Sequence, residues 1–361
     1  MNEFRVEVPQ ADLDDLHARI AAARWPDAWP DATYGITVDR VRHLADRWLT
    51  LDWRAHERRL NAYPQFTTTI DGENIYFLHV RSASPDAVPL ILTHGWPGSV
   101  IEFLDLIPLL TEHFHLVIPA IPGFGFAGPT RAAGWGQERV ARAWASLMRL
   151  LGYERYGAQG GDWGSGISRL LAVAAPDQVL GVHVNYLPSG GTPTGPLSAT
   201  DQARLDRTLK LAANRHPHQV LFADAPQTLA YALNDSPVGL LAFIADKFDR
   251  WADPAAPIPD DVILADVMHY WLTGTAGSSA RLIKESGAVT TCPAPLGVAV
   301  LPQDIVQSIR PLVEQRHDVR RWTEYPRGGH FAALEVPALL AADVTAFFQS
   351  LVREGAGAAR A

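Results

Sequence analysis

Between residues 89 and 183 the chain alternates four short apolar runs with helical stretches, and few folds accommodate that pattern. The runs are Pro89-Leu-Ile-Leu-Thr93, Leu116-Val-Ile-Pro119, Gly157-Ala-Gln159 and Val179-Leu-Gly-Val-His183, with helical stretches near 99–112, 136–151 and 163–175. Strands apolar on both faces need helices to cover them and to carry the crossover between them. The expectation is therefore an α/β protein with a mostly parallel, doubly wound sheet. Residues 66–70 and 75–80 read as a hairpin about Asp71-Gly72 that extends this sheet.

The chain has 361 residues, 47% of them hydrophobic, more than one core usually organises, since single cores stop growing at roughly 250–300 residues. An insertion is expected, and the alternation does stop after Gly190. Residues 192–286 are helical in pattern and broken by prolines, and strand-like runs return at 295–301 and 321–325. This gives an N-terminal helical clasp over 1–60, a first core part over 61–190, a helical lid over 191–286 and a second core part over 287–361. Leu13, Leu16 and Ile20, then a helical run over 38–49, form the clasp, expected to pack on the main domain. Only the Ala/Gly-rich tail after Glu354 reads as disordered.

Composition excludes several functions. A net charge of -8 without a basic run argues against nucleic acid as a partner. One cysteine, Cys292, leaves no intrachain disulfide and no thiolate metal cluster, and neither metal nor cofactor is expected. The first residues hold no apolar run long enough for a signal peptide or a membrane span, and a cytoplasmic location is the expectation.

The chemistry centres on Gly160-Gly161-Asp162-Trp163-Gly164-Ser165, between an apolar strand and an apolar helix. Flanking glycines permit a tight strand-to-helix turn that lifts the central residue above the sheet and aims the new helix's N-terminus at it. That residue is Asp162. Upstream, His94-Gly95-Trp96-Pro97-Gly98 follows a strand, where the second donor of an oxyanion hole belongs, so the amides of Trp96 and Trp163 are the expected donors and a cis Trp96-Pro97 bond is expected. Downstream, His330 in Gly328-Gly329-His330-Phe331 takes the place of the base, and Asp304, just past the strand at 296–301, that of its orienting acid. Asp162 and Asp304 would also serve as plain helix N-caps. As a nucleophile, a carboxylate already ionised at neutral pH suits displacement at a saturated carbon, giving an ester that base-activated water then cleaves.

Other matching stretches are Leu13 to Ile20 with Arg24-Trp25-Pro26, Pro122-Gly-Phe-Gly-Phe126, Leu233-Asn-Asp-Ser-Pro-Val-Gly-Leu240, Tyr270-Trp-Leu-Thr-Gly-Thr275 and Arg327-Gly-Gly-His-Phe-Ala-Ala-Leu-Glu335. On these stretches and the three motifs above, the chain resembles the microsomal-type epoxide hydrolases, with their bacterial and juvenile-hormone relatives, over nearly its full length. The resemblance implies an α/β-hydrolase fold, Asp162, Asp304 and His330 as nucleophile, acid and base, and an apolar small-molecule substrate. It also implies two lid tyrosines that hold the epoxide oxygen, and here the chain departs: their positions fall on Ile283 and His218. His218 is then the lid proton donor to consider, in a loop beside Pro217, and Tyr186, Tyr231 and Tyr270 are the other tyrosines to examine. Trp96, Trp135, Trp163 and Trp271 are expected to line an apolar pocket or to pack in the core. A dehalogenase or other aspartate-nucleophile hydrolase, and a non-catalytic binding protein on this fold, remain as alternatives, and a homodimer is left open as the assembly.

Overall fold

A computed structural model describes residues 1–29, 31–213 and 216–358. Among the described residues nine strands form one sheet: β1 (Asn2–Phe4), β2 (Gln65–Ile70), β3 (Glu73–Val80), β4 (Val88–Thr93), β5 (Phe114–Pro119), β6 (Tyr156–Gly160), β7 (Val179–Val184), β8 (Leu296–Val300) and β9 (Val319–Glu324). Their order is β1-β2-β3-β5-β4-β6-β7-β8-β9. The first three strands run antiparallel, β3 pairs β5 antiparallel, and every pairing from β5 to β9 is parallel. Hence the carboxyl ends of β4, β6, β7 and β8 point the same way. Between β4 and β6 the crossovers reverse direction, which opens a crevice where open α/β sheets bind their ligands.

The apolar runs form strands because they are buried on both faces: Leu90, Ile91, Leu92, Leu116, Val117 and Ile118 are fully inaccessible. Helices Gln137–Leu150 and Asp162–Ala174 pack beside one another as sheet covers. Helix Pro337–Ala358 covers β7 and β8 with Phe347 and Phe348 in the core. That helix continues through the Ala/Gly-rich segment, so the tail read as disordered is helical up to Ala358, and 359–361 lie outside the described residues. Alanine is the best helix former, and a helix already anchored by its apolar face extends at little cost.

Between β7 and β8 the described residues form six helices, the first Ala199–Ala213 and the last Ala276–Glu285. The N-terminal helices pack on this layer rather than on the sheet. The apolar face of helix Val38–Leu49 (Val41, Leu44, Trp48) meets helices Pro237–Trp251 and Asp260–Thr273. Arg40 pairs with Asp249 and Asp260, and Arg47 with Asp261, around its edge. The clasp therefore holds the lid. Periodicity could show which face of that helix is apolar but not which neighbour covers it. Among the described residues, no single helix is long and apolar enough to cross a membrane.

Candidate active site

Gly160 ends β6, and helix Asp162–Ala174 begins two residues later, so the chain must reverse within one residue. Asp162 takes the left-handed conformation with φ 47°, sparsely populated for a residue with a side chain. The turn closes because its neighbours have no side chains. A Cβ on Gly164 would fall 1.9 Å from the Thr93 carbonyl oxygen, and one on Gly95 would fall 2.4 Å from Asp162 Cβ. The elbow and the His94-Gly95-Trp96 loop are thus pressed together at the ends of two neighbouring parallel strands.

At that contact the Trp96 amide donates to Asp162 Oδ1 at 2.8 Å, and the Trp96-Pro97 bond is cis, as expected. Trp163 lies in the first turn of the new helix, where amides have no intrahelical acceptor and the helix dipole favours negative charge. His94 is structural: its Nδ1 lies 2.9 Å from the Gly95 carbonyl and its Nε2 accepts from the Ile121 amide. Beneath the loop the Tyr270 hydroxyl donates to the Gly98 carbonyl at 2.7 Å.

His330 and Asp304 arrive from loops after β9 and β8. His330 Nδ1 is 2.8 Å from Asp304 Oδ1, and Nε2 is 3.3 Å from Asp162 Oδ2, an ion-pair contact without hydrogen-bond geometry. The histidine stands between the two carboxylates, almost wholly enclosed. Burial opposes its charge, but Asp304 and Asp162 outweigh that and push its pKa up to about 10. In the resting site His330 is an imidazolium.

Two spaces adjoin this line of residues. Toward the lid, Trp96 stacks on His218 at 4.9 Å and meets Phe222, Phe243 and Trp251 at 5.2–6.5 Å. His218 and Trp251 also border a cavity of about 830 Å³ lined by Tyr34, Ile36, Leu221 and Phe243, with Lys247 and Arg250 among its walls. The second, a chamber of about 20 Å³, is lined by Asp162, His330, Glu102, Asn185 and by Gly95, Trp96 and Gly98 of the Trp96 loop. That is room for one water.

The donor positions differ from expectation. His218 is buried in the first turn of helix Pro217–Asp224, not in a loop, because proline at a helix start turns the chain into it. Burial, helped by Lys247 and His216, lowers its pKa to about 3, so it is neutral and cannot serve as the protonated acid considered above. Ile283 is buried and apolar. Of the tyrosines, Tyr231 is exposed and the Tyr270 hydroxyl is committed to Gly98. Tyr186 follows β7 and stands edge-on to His330, with ring centroids 5.4 Å apart and planes at 90°. Its hydroxyl has no hydrogen-bond partner among the described residues. Burial first, then the charges of Asp162 and Asp304, keep that phenol protonated well above its ordinary range. Trp135 is buried in the core and Trp271 packs partly buried against it, beneath the guanidiniums of Arg139 and Arg19 respectively.

Sequence reasoning missed Glu102. Its one signal was an acidic residue inside the apolar stretch Val100-Ile101-Glu102-Phe103-Leu104.

Residues 1–103 match the family model described as epoxide hydrolase N terminus, and residues 88–216 match that of the alpha/beta hydrolase fold. Epoxide hydrolase 1 of Sus scrofa is 33% identical, across 97% of this chain and 89% of its own. Juvenile hormone epoxide hydrolase 1 of Ctenocephalides felis is 32% identical, across 94% and 84%. Among solved structures, the Aspergillus niger epoxide hydrolase superposes with a TM-score of 0.90 at 34% identity, covering 97% of this chain and 96% of that one.

Proposed function

The chain belongs to the epoxide hydrolase family, and from that premise we propose that it opens a bulky, apolar epoxide through an ester on Asp162, with Tyr186 standing in for the lid tyrosines. The observation that carries this reading is the line Asp304–His330–Asp162, held from the other side by the Trp96 amide. The names of the relatives favour an epoxide over a carbon–halogen bond. The aromatic cluster around Trp96 favours a flat, apolar substrate.

In the first step an Asp162 oxygen attacks an epoxide carbon, its bond to the ring oxygen breaks, and that oxygen takes a proton from Tyr186. The imidazolium of His330 replaces the proton Tyr186 gave up. Esterified Asp162 carries no charge, so one of the two carboxylates that held the proton on His330 is gone and a neutral imidazole remains. The first step therefore creates the base for the second. Water then attacks the ester carbonyl, giving one proton to His330, while the Trp96 and Trp163 amides hold the oxyanion. Collapse releases the diol and restores the ion pair.

Two results are expected. With enzyme in excess in ¹⁸O-labelled water, the first diol should carry unlabelled oxygen and the peptide containing Asp162 should become heavy in a mass spectrum. Label in the first diol would mean direct attack by water and end this reading. Because the proton that replaces the one Tyr186 gives up is held on His330 below about 10, the rate of ester formation should be level through neutral pH and step down modestly to a lower plateau as pH rises through that value. A stopped-flow pH series measures this, and a rate that rises there contradicts it.

A further inference from the structure

Glu102 has no part in the steps above, yet its carboxyl sits beside the nucleophile in the one-water chamber. Polar side-chain groups among the chamber's lining residues belong to Thr93, His94, Trp96, Glu102, Asp162, Asn185 and His330. Besides Asp162, whose Oδ1 accepts from the Trp96 amide, three are already engaged. Thr93 Oγ1 accepts from Trp144 Nε1, His94 Nε2 accepts from the Ile121 amide, and Asn185 Oδ1 accepts from Gln159 Nε2. His330 Nε2 is buried without a hydrogen-bond partner, and the Glu102 carboxyl, which meets the Ser99 backbone amide, has acceptor capacity left for water. An ordered water needs both the room and about two to four polar partners, and here both occur beside the carbon it must attack.

The geometry points to this chamber as the seat of the hydrolytic water, with Glu102 as the positioning residue that accepts one water hydrogen while His330 Nε2 takes the other. This rests on the two-step reading and adds to it the place from which water attacks. Gly98 makes the arrangement possible: a Cβ there would fall 1.3 Å from Glu102 Oε1, so the carboxyl fills the space a side chain would need. Burial and the neighbouring Asp266 keep Glu102 protonated. A neutral carboxyl does not repel ionised Asp162, does not compete with His330 for the proton, and still offers a carbonyl oxygen to water. In the step itself the water oxygen bonds to Asp162 Cγ, one proton passes to His330, and the other stays on the oxygen and keeps its hydrogen bond to Glu102. When the alkoxide of the diol leaves, it takes the proton of the new carboxylic acid, so that Asp162 returns ionised beside protonated His330.

The test separates the two steps by rapid quench and intact mass on terminal aryl epoxides. Glu102→Met keeps the length and removes the acceptor. Ala333→Val leaves Glu102 in place and fills the chamber from a different lining residue. In both, ester formation should stay near the wild-type rate while ester hydrolysis slows on the order of 10²-fold, the cost of a misplaced reactant. The ester should accumulate, so kcat and KM fall together. Glu102→Gln, which keeps a carbonyl oxygen, should restore most of the hydrolysis rate. If Glu102→Met fails to fold, Ala333→Val decides. Wild-type hydrolysis in either variant, or equal slowing of both steps, overturns the chamber assignment. Failure to find any ester on Asp162 overturns instead the reading on which it rests.

Discussion

Replacing His330 by glutamine should stop the enzyme at the ester, with one substrate mass added per chain on the peptide that holds Asp162. Attack needs only the carboxylate, held by the Trp96 amide, whereas hydrolysis needs a base. A general base contributes roughly 10² to 10⁴ in rate, and turnover should fall by that much. Glutamine also lacks the imidazolium proton, so Tyr186 must be reprotonated from solvent, and ester formation should slow only modestly. Intact-mass spectra over time distinguish the outcomes. Normal turnover, or no adduct with an epoxide that the wild type consumes, would remove His330 from the role.

The second large effect is expected at Tyr186. Ring opening makes an alkoxide, a poor leaving group, and a neutral donor at that oxygen contributes roughly 10² to 10⁴. Tyr186→Phe keeps the ring against His330 and removes only the hydroxyl. Ester formation should slow within that range while hydrolysis of ester already formed is unchanged, and the solvent isotope effect on the first step should vanish. Ile283→Tyr, which returns a phenol to the lid position, should recover part of the rate. A Tyr186→Phe enzyme that forms ester as fast as wild type would show that the proton comes from elsewhere.

The residues of the site stand very differently in the sequence. Asp162 and His330 sit in motifs whose glycines are dictated by backbone geometry: the elbow admits no Cβ at Gly164 because the Thr93 carbonyl occupies that space. Such constraints are local and leave a local mark. Asp304 was legible only by its place after a strand, and its 2.8 Å bond to His330 spans 26 residues. His218 was legible as a position but not as an environment. Its neutrality comes from burial under Trp96 and Trp251 and from Lys247, contributed by separate segments.

By itself the sequence determined the alternation that makes a parallel sheet, the elbow that lifts Asp162 and the order of the three polar groups. Each of these is set by neighbours in the chain, through periodicity, a tight turn or a strand end. Only the tertiary structure decided that the clasp grips the lid, that the Tyr270 hydroxyl is spent on Gly98 while that of Tyr186 is free, and that Glu102 faces a space for one water beside Asp162. These depend on which groups from distant segments share a buried volume. Burial there sets their charge and hydrogen bonding, and no local pattern encodes it.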